Sequence, residues 1–194
     1  MTDYITYKVY KYDFFDEGWG CGWRSLQNCV SKLLGLDITI NTIMRNLEII
    51  DPMKYKFNYC HYGYLDGTMI IDFLNTYINI KTEHIEITSE KELNEFIIKA
   101  NCYDYTNMCI LFIHDGYIVM IDRIKDNNML VVDPHIDPTI NNFYELNVVG
   151  KGGIGWINIQ KVLYQNIDIL CITNNDEFLN INTPSFYIIS KVNF

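Results

Sequence analysis

Apolar positions repeat with two different periods along this chain, and the change of period divides it. From Cys21 onward, Leu26, Cys29, Val30, Leu33 and Leu34 fall on one helical stripe that Gly35 stops. A second, short helix is predicted after Asn41, with Ile43, Met44 and Leu47 inward. Tyr55 to Tyr64 is aromatic and irregular, and Thr68 to Tyr77 predicts a helix through Ile70, Ile71, Phe73 and Leu74. Ser89-Glu90-Lys91-Glu92 is a capping box that opens a helix through Ala100, with Leu93, Phe96 and Ile97 on its apolar side. Beyond it the runs become short and β-branched. Met108 to Ile113, Tyr117 to Ile124 and Met129 to Asp133 predict successive antiparallel strands, with Asp126-Asn127-Asn128 as a hairpin turn. Trp156 to Ile159 is β-like, and Asn166 to Thr173 and Phe186 to Val192 predict two more strands. One strand is also predicted ahead of the helices, over the Tyr-rich Tyr4 to Tyr12, and Asp16-Glu17-Gly18 breaks it. Helices first and strands later give an α+β class. Without a repeat or a Pro/Ser-rich linker, residues 1–194 read as one domain.

Composition supports a packed core, since 49% of the residues are hydrophobic and Tyr and Phe number fifteen and ten. The formal net charge of -9 argues against a nucleic-acid backbone or an anionic membrane as the main partner. It would suit a basic partner, although acidity for solubility alone gives the same balance. The longest apolar runs, such as Cys109 to Ile113, are too short to span a bilayer. None of the six Cys forms a C-x-x-C pair, and the first residues carry no apolar segment of the signal-peptide kind. Reduced thiols and a cytoplasmic setting are therefore expected. The four His show no H-x-x-x-H or H-E-x-x-H spacing, so neither a metal nor another cofactor is expected.

The chemistry concentrates at Gly18-Trp19-Gly20-Cys21-Gly22-Trp23, where a Gly-rich turn delivers a Cys to the first turn of an amphipathic helix. Free amide N–H groups and the helix dipole stabilise a thiolate there, and the Cys21 N–H can donate to an oxyanion. Free Cys is also among the most buried residue types, so the local pattern leaves a structural thiol open. Cys29 and Cys109 sit in apolar stripes and read as core. A thiolate nucleophile needs a base, and His135 has the best local case. In Asp133-Pro134-His135 the acid and the imidazole project from one face of extended chain, so the carboxylate can fix the tautomer. An ordinary turn after a strand fits the same three residues. His114-Asp115-Gly116 is the rival pair and reads as a hairpin turn, while His61 and His84 lie in aromatic or polar stretches. Gly150-Lys151-Gly152-Gly153-Ile154-Gly155 matches a dinucleotide fingerprint literally, but that site needs a strand–loop–helix context, and its surroundings look antiparallel.

Taken together, Gly18 to Gln27, then Asp133-Pro134-His135, then Gly155-Trp156, with a weaker match from Tyr64-Leu65-Asp66-Gly67 into its helix, resemble the UFM1-specific proteases, the UfSP family of papain-like cysteine peptidases. The resemblance implies a helical part carrying the Cys helix, packed on an antiparallel sheet carrying the Asp and His. It implies a thiol protease acting after the C-terminal Gly of a ubiquitin-like modifier, in precursor processing or isopeptide deconjugation. Cys21 would be the nucleophile, His135 the base and then acid, and Asp133 the orienter. An upstream Tyr hydroxyl would serve the oxyanion, with Tyr10 the best alignment and Tyr12 the fallback. Trp19, Trp23 and Trp156 would line or brace the groove for the tail. UFM1 is the implied partner, with ubiquitin or an Atg8-type modifier as alternatives, and the enzyme is expected to be a monomer. A catalytically silent modifier-binding module of the same fold is the competing reading. The family's Gly-rich stretch with an Ala-His pair is replaced here by His114 to Met120.

Overall fold

A computed structural model describes residues 5–10, 20–57, 63–77, 80–114, 117–134, 154–160 and 185–191. Four α-helices are described: α1 (Cys21–Leu34), α2 (Ile40–Ile50), α3 (Gly67–Tyr77) and α4 (Glu90–Ala100). The strands are β1 (Ile80–Glu86), β2 (Met108–His114), β3 (Tyr117–Lys125), β4 (Asn128–Val132), β5 (Ile154–Asn158) and β6 (Ser185–Lys191). They form one six-stranded sheet in the order β1-β6-β2-β3-β4-β5, and every neighbouring pair is antiparallel. The expected α+β class is therefore the observed one.

The period of two in the strands sorts their side chains onto two cores. Cys109, Leu111, Ile118, Met120, Val132 and Ile189 face α1, α2 and α3. Ile110, Phe112, Val119, Ile121, Val131 and Phe186 face the apolar side of α4. Each helix presents the stripe its sequence predicts, with Leu26, Cys29, Ile43, Met44, Leu47, Ile70, Phe73 and Leu74 buried. Gly35 ends α1 in the left-handed conformation, where its N–H bonds back to the Ser31 carbonyl. Ser89 caps α4 by accepting from the Glu92 N–H at 3.3 Å, while the Glu92 carboxylate reaches past it to Thr88. The turn at Asp126 and Asn127 joins β3 to β4, and Asp126 takes φ 55° there.

Two expectations change, and the reading of the glycine fingerprint holds. Strand β1 was not expected, because Lys81, Glu83, His84 and Glu86 mask its alternation; as an edge strand it keeps those side chains at the solvent margin. The strand expected over Tyr4 to Tyr12 is absent from its described part, residues 5–10. There the Tyr10 backbone is bound by a side-chain amide: its N–H donates to Asn28 Oδ1 at 2.7 Å, and its carbonyl accepts from Asn28 Nδ2 at 3.2 Å. The glycine fingerprint ends inside an antiparallel strand, with Gly155 paired to Val131, so the strand–loop–helix unit a dinucleotide needs is not formed. The strand expected over Asn166 to Thr173 lies outside the described residues.

Candidate active site

Helix α1 is laid along β3 in the strand's own direction. Near its start Ser25 Oγ donates to the Ile118 carbonyl at 2.9 Å, and near its end Lys32 pairs with Asp122 at 2.8 Å. Cys21, one turn before Ser25, thus lies over the end of the sheet where β3 begins. Strand β4 runs opposite to β3, with Val132 beside Met120, so it leaves the sheet at that same end. Its next residue is Asp133, buried at 3% exposure. The register thus brings Cys21 and Asp133 to one end of the sheet from opposite halves of the chain. His135 and Trp19 lie outside the described residues.

The first turn of α1 suits an anion. Its N-cap is Gly20, which has no side chain to occupy the leading N–H groups, and no acidic residue stands in that turn. Cys29 is the contrast: fully buried two turns on, its thiol is pushed up by desolvation, and the neighbouring Cys109 thiol adds to the effect. That environment keeps a thiol protonated and inert.

The residues after Cys21 are keyed to a loop that sequence reasoning missed. Trp23 Nε1 donates to the Gly63 carbonyl at 2.8 Å, and its ring meets Phe57 edge-on at 5.3 Å. Gly22 packs so closely that an added Cβ would stand 2.2 Å from the Leu65 carbonyl oxygen. The loop continues into α3, where Asp66 Oδ1 accepts from the Met69 N–H at 2.9 Å. Gly67, the next residue, packs against Ile113 and Tyr187 of the sheet. The only sequence signal for this contact was the weak match over Tyr64 to Gly67.

One implied role narrows and another needs correction. Of lining and bracing, Trp23, with no exposed surface, is left with bracing, of α1 against the 63–66 loop. The Tyr10 hydroxyl donates to Asp37 and accepts from the Ile38 N–H at 3.2 Å, on the segment that follows α1. The Tyr10 backbone sits beside Asn28, about 10 Å along the helix from Cys21 by helical rise. Its hydroxyl is therefore engaged away from the Cys21 end, and the fallback, Tyr12, lies outside the described residues. Trp156 stands half-buried on β5, paired with Leu130, on the sheet face that carries α1.

At the other end of α1 a buried ion pair fixes its axis. Asp122 sits at a β-bulge in β3 and accepts from Lys32, from Arg123 Nε at 2.6 Å and from the Tyr7 hydroxyl at 2.8 Å. Burial works against its charge, but these partners outweigh it and hold its carboxyl below the usual range. The same burial, with Asp122 alongside, pushes the Tyr7 hydroxyl up.

The profile of peptidase family C78 matches residues 2–168. This chain belongs to peptidase family C78. The solved structure of UfSP from C. elegans has the same fold, with a TM-score of 0.51 at 14% identity over 96% of this C78 chain. The match spans 34% of that protein, so this chain corresponds to about a third of its length. None of the curated proteins matches this C78 member at the sequence level. Among its described residues, no helix is long and apolar enough to cross a membrane.

Proposed function

We propose that this C78 peptidase is a thiol protease that cleaves after the C-terminal Gly of a ubiquitin-like modifier, with UFM1 the first candidate. One observation carries the reading: the Cys21 thiol sits on the first turn of α1, which has no side-chain cap, at the sheet end where β4 delivers Asp133. In this scheme His135 takes the proton from Cys21 Sγ as the sulfur bonds to the carbonyl carbon of the terminal Gly. The Cys21 N–H donates to the oxyanion so formed. The C–N bond then breaks, and His135 gives its proton to the departing amine. Water, deprotonated by the same imidazole, hydrolyses the thioester and frees the modifier. Asp133 holds the imidazole in the required tautomer and steadies its charge. Tyr12 takes the place of Tyr10 as second oxyanion donor. At 3% exposure Cys21 suits a slender, glycine-ended substrate.

The test is a panel of electrophilic probes built on the tails of UFM1, ubiquitin, NEDD8, SUMO and Atg8-type modifiers. Labelling of the wild-type chain at Cys21, lost in Cys21→Ala with the circular dichroism spectrum kept, is the expected result. The probe that labels fastest names the modifier. If every probe leaves the wild-type thiol untouched, the chain is a binding module and the catalytic reading fails. Cleavage of a tail-extended precursor against an isopeptide conjugate separates processing from deconjugation.

A further inference from the structure

The loop from Gly63 to Asp66 meets the two residues after the proposed nucleophile, and one of its side chains is exposed. Gly63 accepts from Trp23, and the Leu65 carbonyl abuts Gly22. The Leu65 side chain is buried at 1% exposure, whereas Tyr64, between these two anchors, is 57% exposed. Both residues flanking Tyr64 are held by these contacts, while Tyr64 itself keeps more than half of its surface exposed. Gly63 adopts φ 63°, a left-handed turn that sets the direction of the residue following it. Backbone rigidity at such a point lowers the entropy lost when the ring closes on a ligand.

We propose that Tyr64 is a specificity-determining residue of the proteolytic site, a preordered aromatic platform that packs against the backbone and side chains just before the scissile Gly. This rests on the proteolytic reading of Cys21. The loop that carries Tyr64 meets Gly22 and Trp23, the residues that follow Cys21, so an exposed ring on it lies near the start of α1. A tail ending in Gly has little side chain of its own at the reacting end. Its recognition must come from the residues before that end, and a flat apolar face with a hydroxyl at its rim is suited to them.

The experiment compares wild type, Tyr64→Ala, Tyr64→Phe and Tyr64→Trp on a UFM1 tail fused to an aminocoumarin leaving group. A second readout is the rate of Cys21 alkylation by iodoacetamide, which needs no modifier. The expected result is a KM raised about tenfold in Tyr64→Ala, with kcat within roughly twofold and the alkylation rate unchanged. Tyr64→Phe and Tyr64→Trp should stay near wild type. An unchanged KM in Tyr64→Ala overturns the inference and leaves the proteolytic reading standing. So does an alkylation rate that falls in step with activity, because the ring would then only prop α1. A wild-type chain that alkylates at Cys21 but cleaves no modifier fusion overturns both.

Discussion

Gly22→Ala asks how tightly the start of α1 is held. On helix propensity alone the change should stabilise, by at most about 1 kcal/mol. The packing says otherwise. The new Cβ would stand 2.2 Å from the Leu65 carbonyl oxygen and 3.1 Å from the Leu65 carbonyl carbon. Carbon and carbonyl oxygen ordinarily approach to about 3.3 Å, so roughly 1 Å must be found. The obstacle is backbone, and its neighbours are fixed: Leu65 is buried, Gly63 is tied to Trp23, and Asp66 caps α3. Overpacking of this kind costs about 1–3 kcal/mol, which exceeds the gain in propensity. For a chain of this size a net loss of about 1 kcal/mol lowers Tm by roughly 2–4 °C. Activity should suffer more than stability, because Cys21 is the adjacent residue. A displacement near 1 Å costs about a hundredfold in rate. Urea melts and kcat/KM on the aminocoumarin fusion measure the two effects separately. A Gly22→Ala protein as active as wild type, and equally or more stable, would refute the argument that this contact positions the nucleophile.

Other expectations follow from the same geometry. His135→Ala should lose nearly as much cleavage as Cys21→Ala, whereas Asp133→Asn should keep a measurable remnant; single-turnover assays on one fusion substrate rank all three. Cys29→Ala should leave cleavage intact while lowering the urea midpoint, and an equal loss of activity in a folded Cys29→Ala would move the nucleophile to that position. Asp122→Ala strands the Lys32 ammonium in the core and should cost about 3–5 kcal/mol by chemical denaturation, with little relief from added salt. Asp122 is held below its ordinary range in the folded chain, so its stabilisation is complete above the unfolded value near about 3.9 and is lost as pH falls through the folded value. An acid-unfolding titration of wild type against Asp122→Asn should show that difference shrinking at the acid end.

The helices were legible because each carries an uninterrupted stripe and a chemical start or stop, as Ser89 and Gly35 show. Strands β2, β3 and β4 were legible because they are consecutive and joined by short turns. Strand β1 was not, since Lys81, Glu83 and Glu86 sit on an edge where polar side chains are tolerated on both faces. The N-terminal strand failed for a different reason. The segment alternates only in part, and at Tyr10 the Asn28 amide takes both backbone groups that a neighbouring strand would have bound. Cys21 stood out from Cys29 because glycines surround one and an apolar stripe the other. Tyr10 could not be placed from spacing, because its hydroxyl partner, Asp37, lies beyond the helix that separates them. Trp23 was expected to line or brace the groove, and only burial shows which.

The position of β6 sets an order of events during synthesis. It lies between β1 and β2, yet its residues are translated after every other described element. Until they emerge from the ribosome, β1 and β2 have no common neighbour, and Gly67 lacks Tyr187 to pack against. The 63–66 loop that grips the start of α1 is therefore completed last, long after Cys21 itself has been made. Sheets closed by such distant segments form slowly, after the local helices. A ribosome-bound nascent chain stalled before β6 should carry Cys21 without that support, and the proposed cleavage would begin only as synthesis passes that strand.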